Sequence, residues 1–178
     1  IVEANGKVYW LSEQGFQSFD GSLRCISNPI STTVNALNQA RLSGVCGVQN
    51  IRYREIWWAV PSATSLVNDE VLAYAYELSN QSGKDVWFRY TGMPASALQA
   101  IEDRTTDLPI PYRGNYAGGV LLHDESVDND DGTAITSSWT SGWMALHPNE
   151  VDPVQVRRLL TWVESTTAAG SLTVALYN

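Results

Sequence analysis

The chain has 178 residues, a formal net charge of -8, 44% hydrophobic and 17% charged residues, seven Trp and eight Tyr. This length can build one large domain or two small ones around a buried core. Because an acidic protein gains nothing from counterion release at phosphates, the charge argues against tight nucleic-acid binding. The aromatic content favours strands and interfaces.

The cysteines and the N-terminal sequence bear on disulfide bonding, metal binding and targeting. Cys25 and Cys46 could pair if the fold brings them together, but two thiols make no disulfide framework and no four-ligand zinc site. We expect both thiols to be free and buried. No stretch resembles a signal peptide or is apolar for long enough to span a membrane. Because the chain begins at Ile1 and not at Met, we expect an upstream portion to be missing.

The N-terminal quarter predicts a hairpin followed by one short helix. Two strand-like segments, 7–12 and 15–19, flank a polar turn at 13–14. A helix is predicted before Gly44, because four residues lie at helical spacing: Ile30, Val34, Leu37 and Arg41. Its apolar stripe is thin, so we expect this helix to lean against a sheet.

The central part predicts strands whose two faces are both covered. Residues 50–60 are predicted as one strand, in which the adjacent Trp57 and Trp58 point to opposite faces. Segments 70–78 and 85–90 are predicted as the next strand pair, joined by turn residues. Each adjacent aromatic pair, including Trp87-Phe88, therefore implies cover on both sides of its sheet.

The sequence patterns typical of strands become weaker after residue 92 and are clear again from residue 117. Residues 95–101 suggest a helical turn, and 108–111 are predicted to be extended. The Asp131-Gly132 pair predicts a hairpin turn, because Gly tolerates a positive φ there. The strands predicted in this part of the chain are 117–127, 133–139, 154–162 and 171–177.

Many short strands and one minor helix predict an all-β fold, with propeller-like or sandwich-like antiparallel sheets. We expect hairpins and the helix, as propeller-like blades, in residues 1–116. Residues 117–178 are expected to form a C-terminal β-sheet region of the same domain. The residues predicted to lie in the core or at a subunit interface are Trp57, Trp58, Trp87, Arg157, Arg158 and Trp162.

Catalytic signatures are weak. His123 stands beside Asp124 and Glu125, but adjacent strand residues point to opposite faces, so the run alone makes no proton relay. Glu55 near tryptophans leaves a glycosidase cleft as a third, distant interpretation. We therefore predict that the chain is not an enzyme, with no catalytic residue and no cofactor.

The acidic loop contains Asp128, Asp130 and Asp131. Carboxylates of this kind could ligate Ca²⁺. An EF-hand does not fit, because Gly132 at the sixth position would place Val127 first and Ser138 twelfth. A calcium site of another type stays open, but we favour a solvated hairpin tip whose charges discourage edge pairing, and we assign no metal site.

Exposed tryptophans would instead favour a carbohydrate- or receptor-binding β module, because indole rings stack on sugars. The residues concerned are Trp57, Trp58, Trp139 and Trp143. Their placement in strands favours burial in a core or at a subunit interface, so this module is the alternative interpretation.

The order of segments resembles the C-terminal half of the tail hub proteins of short-tailed phages, also called nozzle or packaged-DNA stabilisation proteins. The resemblance covers nearly the whole chain and has no catalytic signature. It consists of the hairpin 7–20, the helix 31–42, the strand 50–60, Asn68-Asp69-Glu70 leading into 71–76, Trp87-Phe88, the acidic hairpin at 131–132, the strand 154–162 with Arg157-Arg158, and the strand 172–176.

This resemblance implies a ring-forming structural protein of the virion, hexameric, that continues the DNA ejection channel below the portal and adaptor proteins. Such proteins dock the tail needle or fibres, and DNA passes without specific binding; no membrane partner is implied. A negative channel surface would keep the genome from sticking. Chains of the family are generally longer than this one.

Overall fold

The structure is a computed structural model that describes residues 1–102, 108–123, 129–130 and 133–134. These residues form short antiparallel strands with a few short helical segments, which confirms the predicted all-β class. The described strands form open sheets in a sandwich-like arrangement and do not close a propeller ring.

The first sheet is a meander in which each strand pairs with the next. Its strands are β1 (Val2–Ala4), β2 (Lys7–Ser12), β3 (Gly15–Phe19) and β4 (Leu23–Cys25). The predicted hairpin is confirmed at the predicted residues, because Ser12 of β2 pairs with Gly15 of β3 across the two-residue turn.

The second sheet is another four-stranded meander. Its strands are β5 (Cys46–Asn50), β6 (Glu55–Val60), β7 (Glu70–Ala75) and β8 (Trp87–Thr91). The prediction of one strand over 50–60 is wrong, because the chain reverses between β5 and β6. Arg54 N donates to Ile51 O at 3.3 Å there, and Arg54 adopts a φ of 57°.

The third sheet has the strand order β11-β10-β9, formed by β9 (Ala97–Glu102), β10 (Pro109–Gly114) and β11 (Val120–Leu122). The helical turn predicted at 95–101 is wrong, because most of that segment pairs with β10. Separately, β12 (Asn129–Asp130) and β13 (Thr133–Ala134) pair in antiparallel fashion, and the turn predicted between them at 131–132 lies outside the described residues.

The predicted N-terminal helix is broken into three pieces: a 3₁₀ helix at Asn28–Ile30, α1 (Ser31–Asn35) and a 3₁₀ helix at Gln39–Gly44. Asn38 accepts a hydrogen bond from Ala40 N at 3.2 Å and so caps the last piece. A second helix, α2 (Tyr76–Ser82), replaces the end of the strand predicted at 70–78. None of the helices that the structure describes is long and apolar enough to cross a bilayer.

The second sheet is the central layer, and both of its faces are covered. Every residue of β6 and β7 is buried, as the sequence predicted for both faces of this sheet. One core lies between the first and second sheets and contains Trp58, with Trp87 packed against it. The other lies between the second and third sheets and contains Trp57. The prediction that both side chains of the Trp87-Phe88 pair are covered is wrong, because Phe88 is 42% exposed.

Several predicted features lie outside the described residues. They are Asp128, Asp131, Arg157, Arg158, Trp162 and the strands at 154–162 and 171–177. Asp130 lies in β12.

Candidate functional site

A cleft of about 280 Å³ opens where the turn after β5 meets β10. Its lining combines three polar side chains with a mostly apolar wall. The lining residues are Asn50, Arg52, Leu108, Pro109, Ile110, Pro111 and His123.

Strand register sets the position of the polar residues. Asn50, the last residue of β5, pairs with Glu55, so both side chains lie on the face of the second sheet that carries Trp57. His123 is held beside β10, because its backbone N donates to Pro111 O at 3.1 Å. The cleft is therefore built from the ends of two neighbouring sheets.

Asn50 is the most unusual residue of the cleft. Its side chain is 1% exposed, and neither Nδ2 nor Oδ1 has a hydrogen-bond partner. Buried polar groups in proteins are nearly always hydrogen-bonded, and an unsatisfied one costs about 1–3 kcal/mol. The Asn50 carboxamide thus leaves one donor group and one acceptor unsatisfied inside the protein, where neither atom is accessible to solvent.

An acidic and aromatic cluster lies behind the cleft. Trp57 Nε1 donates to Glu55 Oε2 at 2.7 Å, and the His123 ring meets the Trp57 ring edge-on with 4.7 Å between centroids. Burial raises the pKa of the Glu55 carboxyl, although the Trp57 hydrogen bond opposes this. Burial, and then the charge of Glu55, raise the pKa of Tyr90 to about 12.

The cluster brings together Glu55 and His123, the two residues considered for acid–base chemistry. Only one of them lines the cleft. Glu55 is buried beside Trp57 and is not part of the described cleft lining, whereas His123 is. Asp124 and Glu125 lie outside the described residues. Within the described part of the chain, no acid–base pair faces the cleft.

The tryptophans considered for sugar stacking are placed in the cores. Trp57 and Trp58 are both almost fully buried, so neither ring offers a face to a sugar. Trp87 is half-buried, and its Nε1 donates to Ile26 O at 2.9 Å. Trp139 and Trp143 lie outside the described residues.

Other chemistry-bearing residues are scattered. Cys25 and Cys46 are free, as predicted, but both are half-buried, not fully buried. Among the residues that the structure describes, no group of three or more His, Cys, Asp or Glu could hold a metal ion.

The sequence interpretation missed Asn50 as a site residue. A signal was available: Val48 and Asn50 are two residues apart, so they share a face of any strand that contains both. A polar residue in the inward register of such a strand needs a partner. The apolar wall could not be found in this way, because it depends on how β10 packs.

Comparison of the chain with protein-family models, with curated proteins and with solved structures finds no match.

Proposed function

We propose that the chain is a structural virion protein, a segment of the tail hub of a short-tailed phage, which forms a ring around the DNA ejection channel and docks other tail proteins. The observation that carries this proposal is the succession of two four-stranded antiparallel meanders, β1–β4 and β5–β8. A four-stranded meander is the blade unit of β-propellers, the architecture that the resemblance to tail hubs implies.

An exposed apolar row on the first sheet supports assembly. Val8, Phe19 and Leu23 are aligned across three strands and all three are exposed. They point away from the core, because the neighbouring Tyr9 points into it. Aligned, solvated apolar side chains are typical of a contact surface, and a second copy of the chain is the partner that a ring provides.

The edge strands β4 and β8 of the first two sheets are joined by an ion pair. β4 and β8 are the last strands of their sheets, and Arg24 before the end of β4 pairs with Asp85 just before β8 at 2.8 Å. Edge strands leave backbone groups unpaired, and neighbouring subunits of a ring would cover them. The row and the two edges thus favour a lateral contact between copies.

The net charge of -8 fits a channel that DNA must traverse. A negative surface repels phosphates, so the genome would pass without being retained.

Two matched variants test this proposal. Leu23 and Leu66 are equally exposed, at 66% and 68%, but only Leu23 belongs to the apolar row. We expect wild type and Leu66→Asp to form rings by sedimentation and electron microscopy, and Leu23→Asp to dissociate while keeping its circular dichroism spectrum. A monomeric wild type, or rings that tolerate Leu23→Asp, would contradict the proposal.

A further inference from the structure

We infer that a second cleft, beside the 3₁₀ helix Gln39–Gly44, binds an acidic segment of another polypeptide, in which a carboxylate side chain lies between apolar ones. The cleft has a volume of about 230 Å³. Its walls come from the end of that helix, from the loop before β7, and from Ser96 and Tyr116 beside the third sheet. All of these segments belong to one chain, so the inference does not rest on the proposed ring.

Hydrogen bonds hold the walls of this cleft together. Asn68 is 5% exposed, and its Nδ2 donates to Gly44 O at 2.7 Å. The backbone N of Asn68 donates to Tyr116 Oη at 2.9 Å, and Tyr116 Oη donates in turn to Ala95 O at 3.4 Å. The cleft is therefore formed before a ligand arrives, which lowers the entropic cost of binding.

Arg41 carries the one charge among the lining residues and is exposed. Other cations of the described residues pair with carboxylates of the same chain: Lys7 with Asp20, Arg24 with Asp85, Arg54 with Glu77, and Arg89 with Glu70. Within the described part of the chain, the Arg41 guanidinium has no such partner. Its planar set of N–H donors is therefore available to a carboxylate from outside, which it can bind through two parallel hydrogen bonds.

Exposed apolar side chains surround this guanidinium on two walls. Leu66 and Val67, in the loop before β7, are 68% and 40% exposed, and Tyr116 on another wall is 49% exposed. Grouped apolar side chains beside an arginine are typical of protein–protein contact surfaces. A segment with apolar residues on both sides of its carboxylate can contact both walls, whereas a chain end offers such residues on one side only.

A carboxylate fits this cleft better than a phosphate group does. It carries a single negative charge, which Arg41 alone can balance. A phosphate group, at about −1.5 to −2, would leave excess negative charge beside a chain whose net charge is already -8. The exposed Ser43 hydroxyl adds a neutral donor for a carboxylate oxygen.

Binding is tested by NMR titration of the purified chain with the peptide acetyl-Leu-Glu-Leu-amide. We expect the backbone amide signals of Ser43 and Gly44 to shift with a Kd on the order of 1 mM at low salt. The controls are acetyl-Leu-Gln-Leu-amide, which lacks the charge, acetyl-Ser-Glu-Ser-amide, which lacks the apolar side chains, and inorganic phosphate. Each should bind at least about tenfold more weakly. No binding, equal binding of any control, or tighter binding of acetyl-Leu-Leu with a free terminal carboxylate would overturn the inference.

A pair of variants with the same change in net charge separates the cleft from general electrostatics. Arg41→Gln should reduce peptide binding at least about tenfold, whereas Lys84→Gln should retain it, because Lys84 is exposed and does not line the cleft. Both variants should keep the Tm of wild type. Equal effects of the two substitutions on binding would contradict the inference.

Leu66→Asp keeps this inference distinguishable from the proposed ring. The new carboxylate replaces an apolar side chain of the cleft and competes for Arg41, so this variant should lose peptide binding and still form rings. Absence of rings in wild type would contradict the ring alone. Peptide binding retained by Leu66→Asp would contradict the cleft alone.

Discussion

Trp57 and Trp58 are adjacent in β6, yet their side chains lie in two different hydrophobic cores. Trp58 packs on Phe16, with 4.6 Å between ring centroids, in the core shared with the first sheet. Trp57 packs on His123 in the layer shared with the third sheet. One dipeptide therefore links all three sheets, and its two rings contribute to stability through separate contacts.

Truncation of either ring should destabilise the fold strongly. We expect Trp57→Ala and Trp58→Ala each to lower the free energy of unfolding by about 3–5 kcal/mol, because each leaves a large cavity. Urea unfolding followed by circular dichroism measures the loss. Trp10→Ala is the control, since Trp10 is only half-buried in β2 and should cost less. Equal losses at Trp10 and Trp58 would refute the placement of Trp58 in a core.

Gly47 allows β5 to approach Trp58 closely. A Cβ at this position would lie 2.7 Å from Trp58 Cδ1 and 2.9 Å from Val2 Cγ2. We expect Gly47→Ala to lower the free energy of unfolding by about 1–3 kcal/mol through overpacking. Gly44→Ala is matched to it, because a Cβ there meets no atom within 4 Å. The prediction fails if both variants unfold at the same urea concentration.

The buried Glu55 should make stability depend on pH. Its native pKa lies above the ordinary value of 4.5, so well below pH 4 both states hold the proton and the residue is neutral to stability. As pH rises through 4.5 the unfolded chain ionises first, which lowers the free energy of unfolding until the native carboxyl also ionises. Glu55→Gln does not titrate and can still accept from Trp57, so its advantage over wild type should grow between pH 4 and pH 7.

Asp69 should make stability depend on pH in the opposite direction from Glu55, and Asp69→Asn tests this. Burial raises the pKa of Asp69, but hydrogen bonds outweigh it and leave the pKa below 3.8; Ser62 Oγ donates to Oδ2 at 2.6 Å and Ser62 N to Oδ1 at 2.7 Å. Asp69 therefore stabilises the native state above its unfolded pKa, and this contribution is lost as pH falls through the native value. The deficit of Asp69→Asn should shrink toward low pH. Parallel pH profiles for the two variants would exclude these pKa directions.

Local signals predicted the hairpin of β2 and β3 to the residue, because a polar two-residue turn separates two runs rich in strand formers. The segment at 95–101 was misassigned because Ala, Leu and Gln favour helices, whereas its strand is fixed by pairing with the distant β10. Likewise, α2 is supported by contacts with other segments: Tyr76 N donates to Arg54 O at 3.1 Å, and Ser79 Oγ accepts from Val86 N at 2.8 Å.

The candidate site was harder to predict than the fold. The cluster of Glu55, Trp57 and His123 could not be inferred from spacing, because His123 reaches Trp57 only through the pairing of the third sheet. Asn50 was read as the start of a strand, although it ends one, and the turn after it was hidden by the alternation of large residues on either side. Sequence periodicity identifies faces well, but not where a strand reverses.

The most direct test of the proposed role is the number of copies in the native particle, counted by native mass spectrometry and by the rotational symmetry of cryo-electron microscopy top views. The proposal predicts a single hexameric species with a central opening. A monomer at every concentration, or a mixture of aggregates without rotational symmetry, would contradict it.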